Sequence, residues 1–286
     1  MRLRAPTEAD AQAAADIVVA VDIAELGEPD YTVEDLRDEW NETGFDRDKD
    51  AVVVEDENGT RIAYAHFRGA DLLAVTDPDR EGEGAGTAIL EWAERRARER
   101  GDTKLRQGIG SQGTSAQMLL ERHGWARLRS YYRLERAVTT ADEEPPGLRA
   151  LKREDAPALD PIYVAAWRDR PDYTPRSQRE WTRRHFDSHS LDLGLSRVAD
   201  GRGFTLVRRH DADVAYVELL TVHPDHAGQG LGSALLRATF AAAARAGLAR
   251  VTLSVASDNP NALRLYERVG MTERWRIDDY QKALPH

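Results

Sequence analysis

The sequence predicts an α/β protein of two tandem domains, each a sheet of mixed strands flanked by helices. Three observations lead there. The chain has 286 residues, long for one compact core and comfortable for two. Its halves match each other at many positions. Each half also carries glycines between a strand-like segment and an amphipathic, helix-like one.

The matches run in order along the chain at a nearly constant spacing of about half its length. Leu3, Arg4 and Asp10 recur as Leu148, Arg149 and Asp155. The tetrapeptide P-D-Y-T at 29–32 recurs at 171–174, followed in each copy by Glu-Trp, at Glu39-Trp40 and Glu180-Trp181. Asn58-Gly59 and Asp200-Gly201 are turn signals at corresponding places between strand-like runs. Pro78, Gly82, Gly84 and Gly86 match Pro224, Gly228, Gly230 and Gly232, and Gly124 matches Gly270. The acidic, proline-containing stretch from Val138 to Gly147 separates the copies, so the domains are expected at 1–140 and 147–286. Helix entry accounts for the P-D-Y-T copies: Thr32 with Asp35 resembles a capping box, and Thr174 precedes Pro175 at an expected first helical position.

In the second copy, the segments from Gly194 and from Phe204 form an expected hairpin across Asp200-Gly201. Val214 to Val222 is almost continuously apolar, the pattern of a central strand. Ser233 to Ala246, rich in Ala and Leu, reads as a helix closed by Gly247. A strand from Val251 follows. Asn259 to Val269 then shows a helical apolar face at Ala262, Leu265, Tyr266 and Val269, with Gly270 as its stop.

Composition narrows the function. No stretch approaches the roughly 20 apolar residues that span a bilayer, and the first ten residues turn polar too soon for a secretory signal; a cytoplasmic protein without a membrane role is expected. Zero cysteines exclude disulfides, thiolate metal sites and a cysteine nucleophile. A net charge of −10 disfavours nucleic acid, whose phosphates are held by clustered Lys and Arg. It is compatible with a cationic amine substrate, although solubility explains it as well.

Three alternating glycines in V-H-P-D-H-A-G-Q-G-L-G-S free successive N–H groups at the positive end of a helix dipole, where an anion such as a diphosphate can sit. A purely structural turn accounts for the same spacing. A dinucleotide fingerprint would want glycine at Ser233, and a Walker loop would want Lys-Ser or Lys-Thr; neither is present. The pattern V-x-P-x-x-x-G-x-G-x-G, a strand, and then N-x-x-A-x-x-L-Y-x-x-x-G from Asn259 to Gly270 resembles the two signature segments of the GNAT acetyltransferase family.

That resemblance implies the family's fold, a mixed and mostly antiparallel sheet flanked by helices, and acetyl-CoA as co-substrate without a metal. It places pantetheine along Leu220, Thr221 and Val222, the pyrophosphate on Gly228, Gln229, Gly230, Leu231, Gly232 and Ser233, and further cofactor contacts at Asn259 and Tyr266. It also implies Tyr266 as the acid that protonates the departing thiolate, although a tyrosine on an apolar helix face is more often a core residue. The position before Gly228, commonly Arg or Gln in the family, is Ala227, which is expected to weaken the site without abolishing it.

Direct transfer to an amine needs a proton acceptor and a polarised carbonyl. Glu218 interrupts the apolar strand and, by the two-residue period, is expected on the face of Leu220 and Val222; it is the candidate base, with a strand-end Glu reaching solvent or an Arg as the bland alternative. The Val222 amide is the candidate carbonyl donor. Trp167, Asp169, Asp172 and Tyr173 are candidates for holding the acceptor amine, although a structural helix-entry loop explains them equally. His185 with His189, and His223 with His226, have metal-compatible spacings, but surface polarity accounts for them and no metal is expected.

In the first copy Glu81 and Glu83 flank the glycines, and Leu72, Gly113 and Leu120 stand in the positions of Glu218, Asn259 and Tyr266. That copy is expected to keep the fold without catalysing. The expected activity is acetyl transfer to a small-molecule primary amine in a ternary complex, by a monomer with its domains packed or by a homodimer. Acylation of a protein or peptide amine, or a non-catalytic acyl-CoA-binding module, are the alternatives.

Overall fold

The structure, a computed structural model, describes residues 1–284 except 43, 70, 171–172, 189 and 210–211. The first copy contributes β1 (Arg2–Arg4), α1 (Ala11–Leu26), α2 (Val33–Trp40), α3 (Arg47–Asp50), β2 (Ala51–Glu55), β3 (Arg61–Arg68), β4 (Asp71–Thr76), α4 (Ala85–Arg100), β5 (Lys104–Gly110), α5 (Thr114–Arg122) and β6 (Ala126–Ala137). The second repeats that order with β7 (Arg149–Ala150), α6 (Ala156–Trp167), α7 (Gln178–Phe186), β8 (Arg197–Ala199), β9 (Gly203–Arg208), β10 (Val214–Val222), α8 (Leu231–Arg245), β11 (Arg250–Ala256), α9 (Pro260–Arg268) and β12 (Thr272–Ala283).

The compact units differ at their ends from the division 1–140 and 147–286. One comprises Met1–Tyr131 with Trp275–His286, the other Tyr132–Arg274. The reason is an exchange of closing strands. In the first unit the sheet order is β1-β2-β3-β4-β5-β12; β12 runs antiparallel to β5 from Ile277 opposite Gly110 to Ala283 opposite Lys104, and Tyr280 and Leu284 join that unit's core. In the second unit the order is β6-β11-β10-β9-β8-β7, and Leu134 of β6 packs with Val251 and Leu253 of β11. Each sheet is antiparallel along its first hairpins and parallel at one step, β4 with β5 and β10 with β11.

Helices cover both faces of each sheet, so central strands bury both sets of side chains. In the first unit α1 and α2 pack on Val53 and Tyr64 of one face, while α4 and α5 pack on Val52, Val54 and Phe67 of the other. The second unit sets α6 and α7 against Phe204 and Leu206, and α8 and α9 against Val207, Ala215 and Leu253.

The recurring Arg and Asp near the start of each copy are one structural device. Arg4 donates two hydrogen bonds of 2.8 Å to the carboxylate of Asp10, and Arg149 does the same to Asp155, so a forked pair ties the first strand to the entry of the first long helix. At α2 the capping box of Thr32 and Asp35 is present. At α7 it is Ser177 and Glu180 that cap reciprocally, so the helix opens at Gln178 and Thr174-Pro175 lie ahead of it. The cap, which satisfies otherwise unpaired N–H groups, overrides the proline signal.

Candidate active site

Strand β10 pairs with β11 only from Val214 opposite Arg250 to Val217 opposite Leu253. Its register with β9 shifts between Val217 and Leu219, a bulge at Glu218. A bulge adds a residue and reverses the in-and-out alternation beyond it. Val217 packs with Phe240 of α8, but Leu219 packs with Trp181 of α7, and Leu220 lies back on the α8 side. This corrects the expectation that Glu218 shares a face with Leu220 and Val222. The Glu218 carboxylate turns to the other side, 3.3 Å from His185 Nδ1 on α7 and 2.7 Å from an Arg208 nitrogen on β9. Thr221 follows it, accepting a 3.2 Å hydrogen bond from the Trp167 indole.

Burial works to raise the Glu218 carboxyl, but His185 and Arg208 beside it outweigh burial and hold the group below the usual carboxylate range. His185 is 5% exposed, which corrects its reading as surface polarity. The alternative of an Arg partner for Glu218 is met by Arg208 on the neighbouring strand, whereas His185 was not foreseen as a partner because it comes from α7, distant in the chain.

Beyond the bulge the glycine loop turns into α8. Gly228 and Gly230 adopt φ of +74° and +82°, the left-handed region that side chains avoid. Gly230 is the N-cap of α8 and no side chain caps it, so the first helical N–H groups keep their capacity for an anion. The Gln229 side chain closes the loop, its amide nitrogen donating to the Asp225 carbonyl at 3.1 Å. Gly232 has a packing role: a Cβ there would come within 2.8 Å of Leu265 on α9. The corresponding Gly86 would meet Leu119 of α5 at 2.7 Å. The third glycine of each loop thus lets two helices approach.

Asn259 caps α9, its side-chain oxygen accepting from the Ala262 N–H at 3.3 Å. That cap orients the helix on which Tyr266 sits, 9% exposed in the core cluster with Val217 and Phe240. Burial pushes the Tyr266 phenol up to about 12, so it keeps its proton at neutral pH. Arg170 and Tyr216 are close enough to act on it through their charges, the first lowering and the second raising its pKa.

Of the residues expected to hold the acceptor, Trp167 and Tyr173 come together around Tyr163, at ring distances of 5.6 and 6.2 Å from it. The Arg170 guanidinium lies 5.1 Å from the Trp167 ring. The side chain of Asp169 is 92% exposed beside Arg168 and does not join them. Asp172 lies outside the described residues.

The first unit has a comparable slot. Strands β4 and β5 pair in parallel only at Asp71 opposite Arg106, and a cavity of about 800 Å³ lies against both, reaching Gly82 and Gly84. Glu25 of α1 enters it and accepts the Gly110 N–H at 2.6 Å. A Cβ at Gly113 would meet the Glu25 carboxylate at 2.1 Å, so no larger residue fits at that position while Glu25 is seated. Burial pushes Glu25 up to about 7 and Asp22 up to about 6. Of the two loop glutamates, Glu83 is held by Arg80 at 2.8 Å, which offsets its charge, while Glu81 lines the cavity.

Residues 20–125 and 156–271 each match the Acetyltransferase (GNAT) family. The chain belongs to that family. As a GNAT protein it is an acetyltransferase of the acyltransferase class, and the family uses acetyl-CoA. The tandem GNAT protein is 30% identical to a mycothiol acetyltransferase of Salinispora tropica, over 96% of this chain and 92% of that one. It is 29% identical to a mycothiol acetyltransferase of Stackebrandtia nassauensis, over 82% of each chain. The crystal structure of a GCN5-related N-acetyltransferase from Sphaerobacter thermophilus superposes with a TM-score of 0.81 at 26% identity, covering 100% of this chain and 96% of that one. A tandem GNAT protein from the clavulanic acid biosynthesis pathway shares the fold, with a TM-score of 0.60 at 17% identity, over 82% of this chain and 83% of that one. Among the described residues, no helix is long and apolar enough to cross a membrane.

Proposed function

We propose that the second copy transfers the acetyl group of acetyl-CoA to a primary amine of a small molecule by direct attack, and that the first copy does not catalyse. The observation that carries this reading is the bulge at Glu218. It turns a carboxylate out of the strand where β10 leaves β11, in the same copy that has an uncapped glycine loop and a protonated, buried Tyr266.

The freed edge of β10 offers N–H and C=O groups along Leu220 to Val222 for an extended amide-bearing arm. The N–H groups from Gly228 to Ser233 suit its diphosphate. The co-substrate supplies an activated thioester carbonyl. Glu218 first takes one proton from the acceptor ammonium, directly or through water, and passes it to solvent. The neutral nitrogen then bonds to the acyl carbon, Tyr266 gives its phenolic proton to the departing sulfur as the C–S bond breaks, and the second proton lost by that nitrogen restores the phenol. The Val222 N–H polarises the carbonyl oxygen. The aromatic wall of Tyr163, Trp167 and Tyr173 lines the acceptor side. The similarity to mycothiol acetyltransferases supports a small-molecule acceptor over a protein one.

The test is a panel of amines, including aminoglycosides, polyamines, amino acids, peptides and cysteinyl aminosugars, with acetyl-CoA. Thiol release is followed colorimetrically, and by mass for acceptors that carry a thiol. The chain has no cysteine to interfere. Turnover with one amine class is expected, with Tyr266→Phe lowering kcat by about 100-fold or more, the range of general acid catalysis, while acetyl-CoA binding by calorimetry stays within about threefold. Silence across the panel, or full activity in Tyr266→Phe, would overturn the reading.

A further inference from the structure

Acetyl transfer in the second copy leaves the cavity of the first without a task. Its volume of about 800 Å³ is that of a small-molecule pocket. Leu72 and Val75 of β4, Ile109 of β5 and Leu119 of α5 give it apolar walls. Set among them are acceptors that lack donors. The charges that act on the Glu25 carboxylate are those of Asp22 and Glu81, both negative, and both residues line the cavity with it. A carboxylate drawn out of water beside its own sign of charge is unfavourable until a cation joins it. The arginines of the wall are placed elsewhere: Arg68 is held by Glu39 at 2.7 Å, Arg106 by Asp71 at 2.8 Å, and Arg122 is exposed at the end of α5. A second acceptor is neutral. Gln107 of β5 borders the same cavity and is 4% exposed. Its amide nitrogen donates to the Ala74 carbonyl of β4 at 2.8 Å, which fixes the other end of the amide as oxygen. That oxygen has no hydrogen-bond partner among the described residues. Buried polar atoms are normally paired, so an unpaired acceptor beside a cavity points to a donor supplied from the cavity.

We propose that the first copy is a binding site for an organic ammonium ion, with Glu25 as its counterion, Gln107 as a neutral acceptor of a ligand N–H, and the apolar walls around its carbon chain. Asp22 and Glu81 add to the negative potential that favours a cation there and opposes an anion. Among the described residues no group of carboxylates and histidines converges as a metal site does, and walls of Leu, Val and Ile suit a carbon chain rather than a bare ion. The slot is thus opposite in charge preference to the glycine loop of the second copy, on the same scaffold. Binding here involves no reaction, and it stands whether or not the second copy transfers acetyl groups.

The experiment uses the methionines as reporters. The chain has three; Met118 lines the cavity, and Met271 lies in the core of the second unit. In the full chain with methyl-labelled methionine, the two resonances, assigned by Met118→Leu, report on the two units separately. Hexylamine, hexanol and hexanoate, which differ at the head group, are titrated at pH 8 without acetyl-CoA. Hexylamine is expected to shift the Met118 methyl and leave Met271 in place, with hexanol and hexanoate weaker by about tenfold or more, the scale of one hydrogen bond to a charged group. Glu25→Gln keeps an acceptor for the Gly110 N–H and should weaken hexylamine by about tenfold, and Gln107→Leu by about threefold. No shift of Met118 with hexylamine, hexanol binding as tightly as hexylamine, or unchanged affinity in Glu25→Gln would each overturn the inference. So would a Met118 shift produced by acetyl-CoA and not by hexylamine, which would make the slot a cofactor site.

Discussion

The two copies share a scaffold and differ in what occupies the gap between their diverging strands. In the second, β10 leaves β11 after Val217 and a bulge turns Glu218 toward His185 and Arg208. In the first, β4 leaves β5 after a single pair, and Glu25 enters from α1 to take the Gly110 N–H. The first copy also gathers a carboxylate, an imidazole and a guanidinium, but from other places: Glu39 of α2 holds His66 at 3.0 Å and Arg68 at 2.7 Å. There the imidazole is fully enclosed, and burial holds it below the ordinary range of histidine. The same fold thus supports one strand gap bordered by a paired carboxylate and another entered by a carboxylate from a helix. Duplication preserved the frame and released the side chains within it.

The largest effect that separates the copies is expected at the glycine loops. Gly230→Val places a β-branched side chain at a φ of +82° and disturbs the first N–H groups of α8. It should weaken acetyl-CoA binding by about 100-fold or more if those amides hold the diphosphate. Gly84→Val makes the same change at φ of +90° in the first copy, and should leave the calorimetric affinity within about threefold. Equal losses from the two substitutions would erase the functional difference and show that both loops bind.

Next in size is the fork that begins each copy. The Asp10 side chain is 1% exposed and also accepts from the Thr7 N–H and hydroxyl and from Arg61, whereas that of Asp155 is 18% exposed. Removing one partner of a buried pair costs more than removing one near solvent. Asp10→Asn is expected to lower unfolding stability by about 3 kcal/mol and Asp155→Asn by about 1 kcal/mol, read from urea unfolding of the full chain. Both carboxyls are held below their ordinary range, chiefly by their arginines. The stability they contribute is therefore present above about pH 4 and is lost as pH falls below it.

Much of this architecture was legible in the sequence because it rests on local chemistry. The turns at Gly59 and Gly201, the stop at Gly270 and the first two glycines of each loop are positions where φ is positive, and the recurrence of Arg4 and Asp10 marked the repeat whose contact the structure shows. What sequence did not yield depends on pairing across distance. Alternation along Val214 to Val222 is broken by a bulge that no residue type marks, so Glu218 was placed on the wrong face. His185 meets Glu218 from another element. The exchange of β6 and β12 was invisible because both are long strands of polar and aromatic residues, whose pattern fits an edge position in either sheet. Glu25 escaped notice for a related reason: it sits near the end of an ordinary helix, and only the chain's return through Gly110 and Gly113 gives it a pocket.

The smallest expected effect tests whether Glu25 is carried at a cost. Burial raises its folded-state pKa to about 7, above the roughly 4.3 of a free glutamate. The folded state thus binds this proton more tightly than the unfolded one. Its contribution to stability is fully present below about pH 4.3, falls as pH rises toward 7, and is flat above. Glu25→Gln removes the charge and keeps an oxygen to accept the Gly110 N–H. It should stabilise the chain by about 1 kcal/mol at pH 8, a figure reduced from the full shift because the carboxylate borders an open cavity, and by nothing at pH 4. A gain of equal size at both pH values would mean that packing, and not ionisation, sets the effect. Destabilisation at pH 8 would mean that the Glu25 charge already has a favourable partner within the protein.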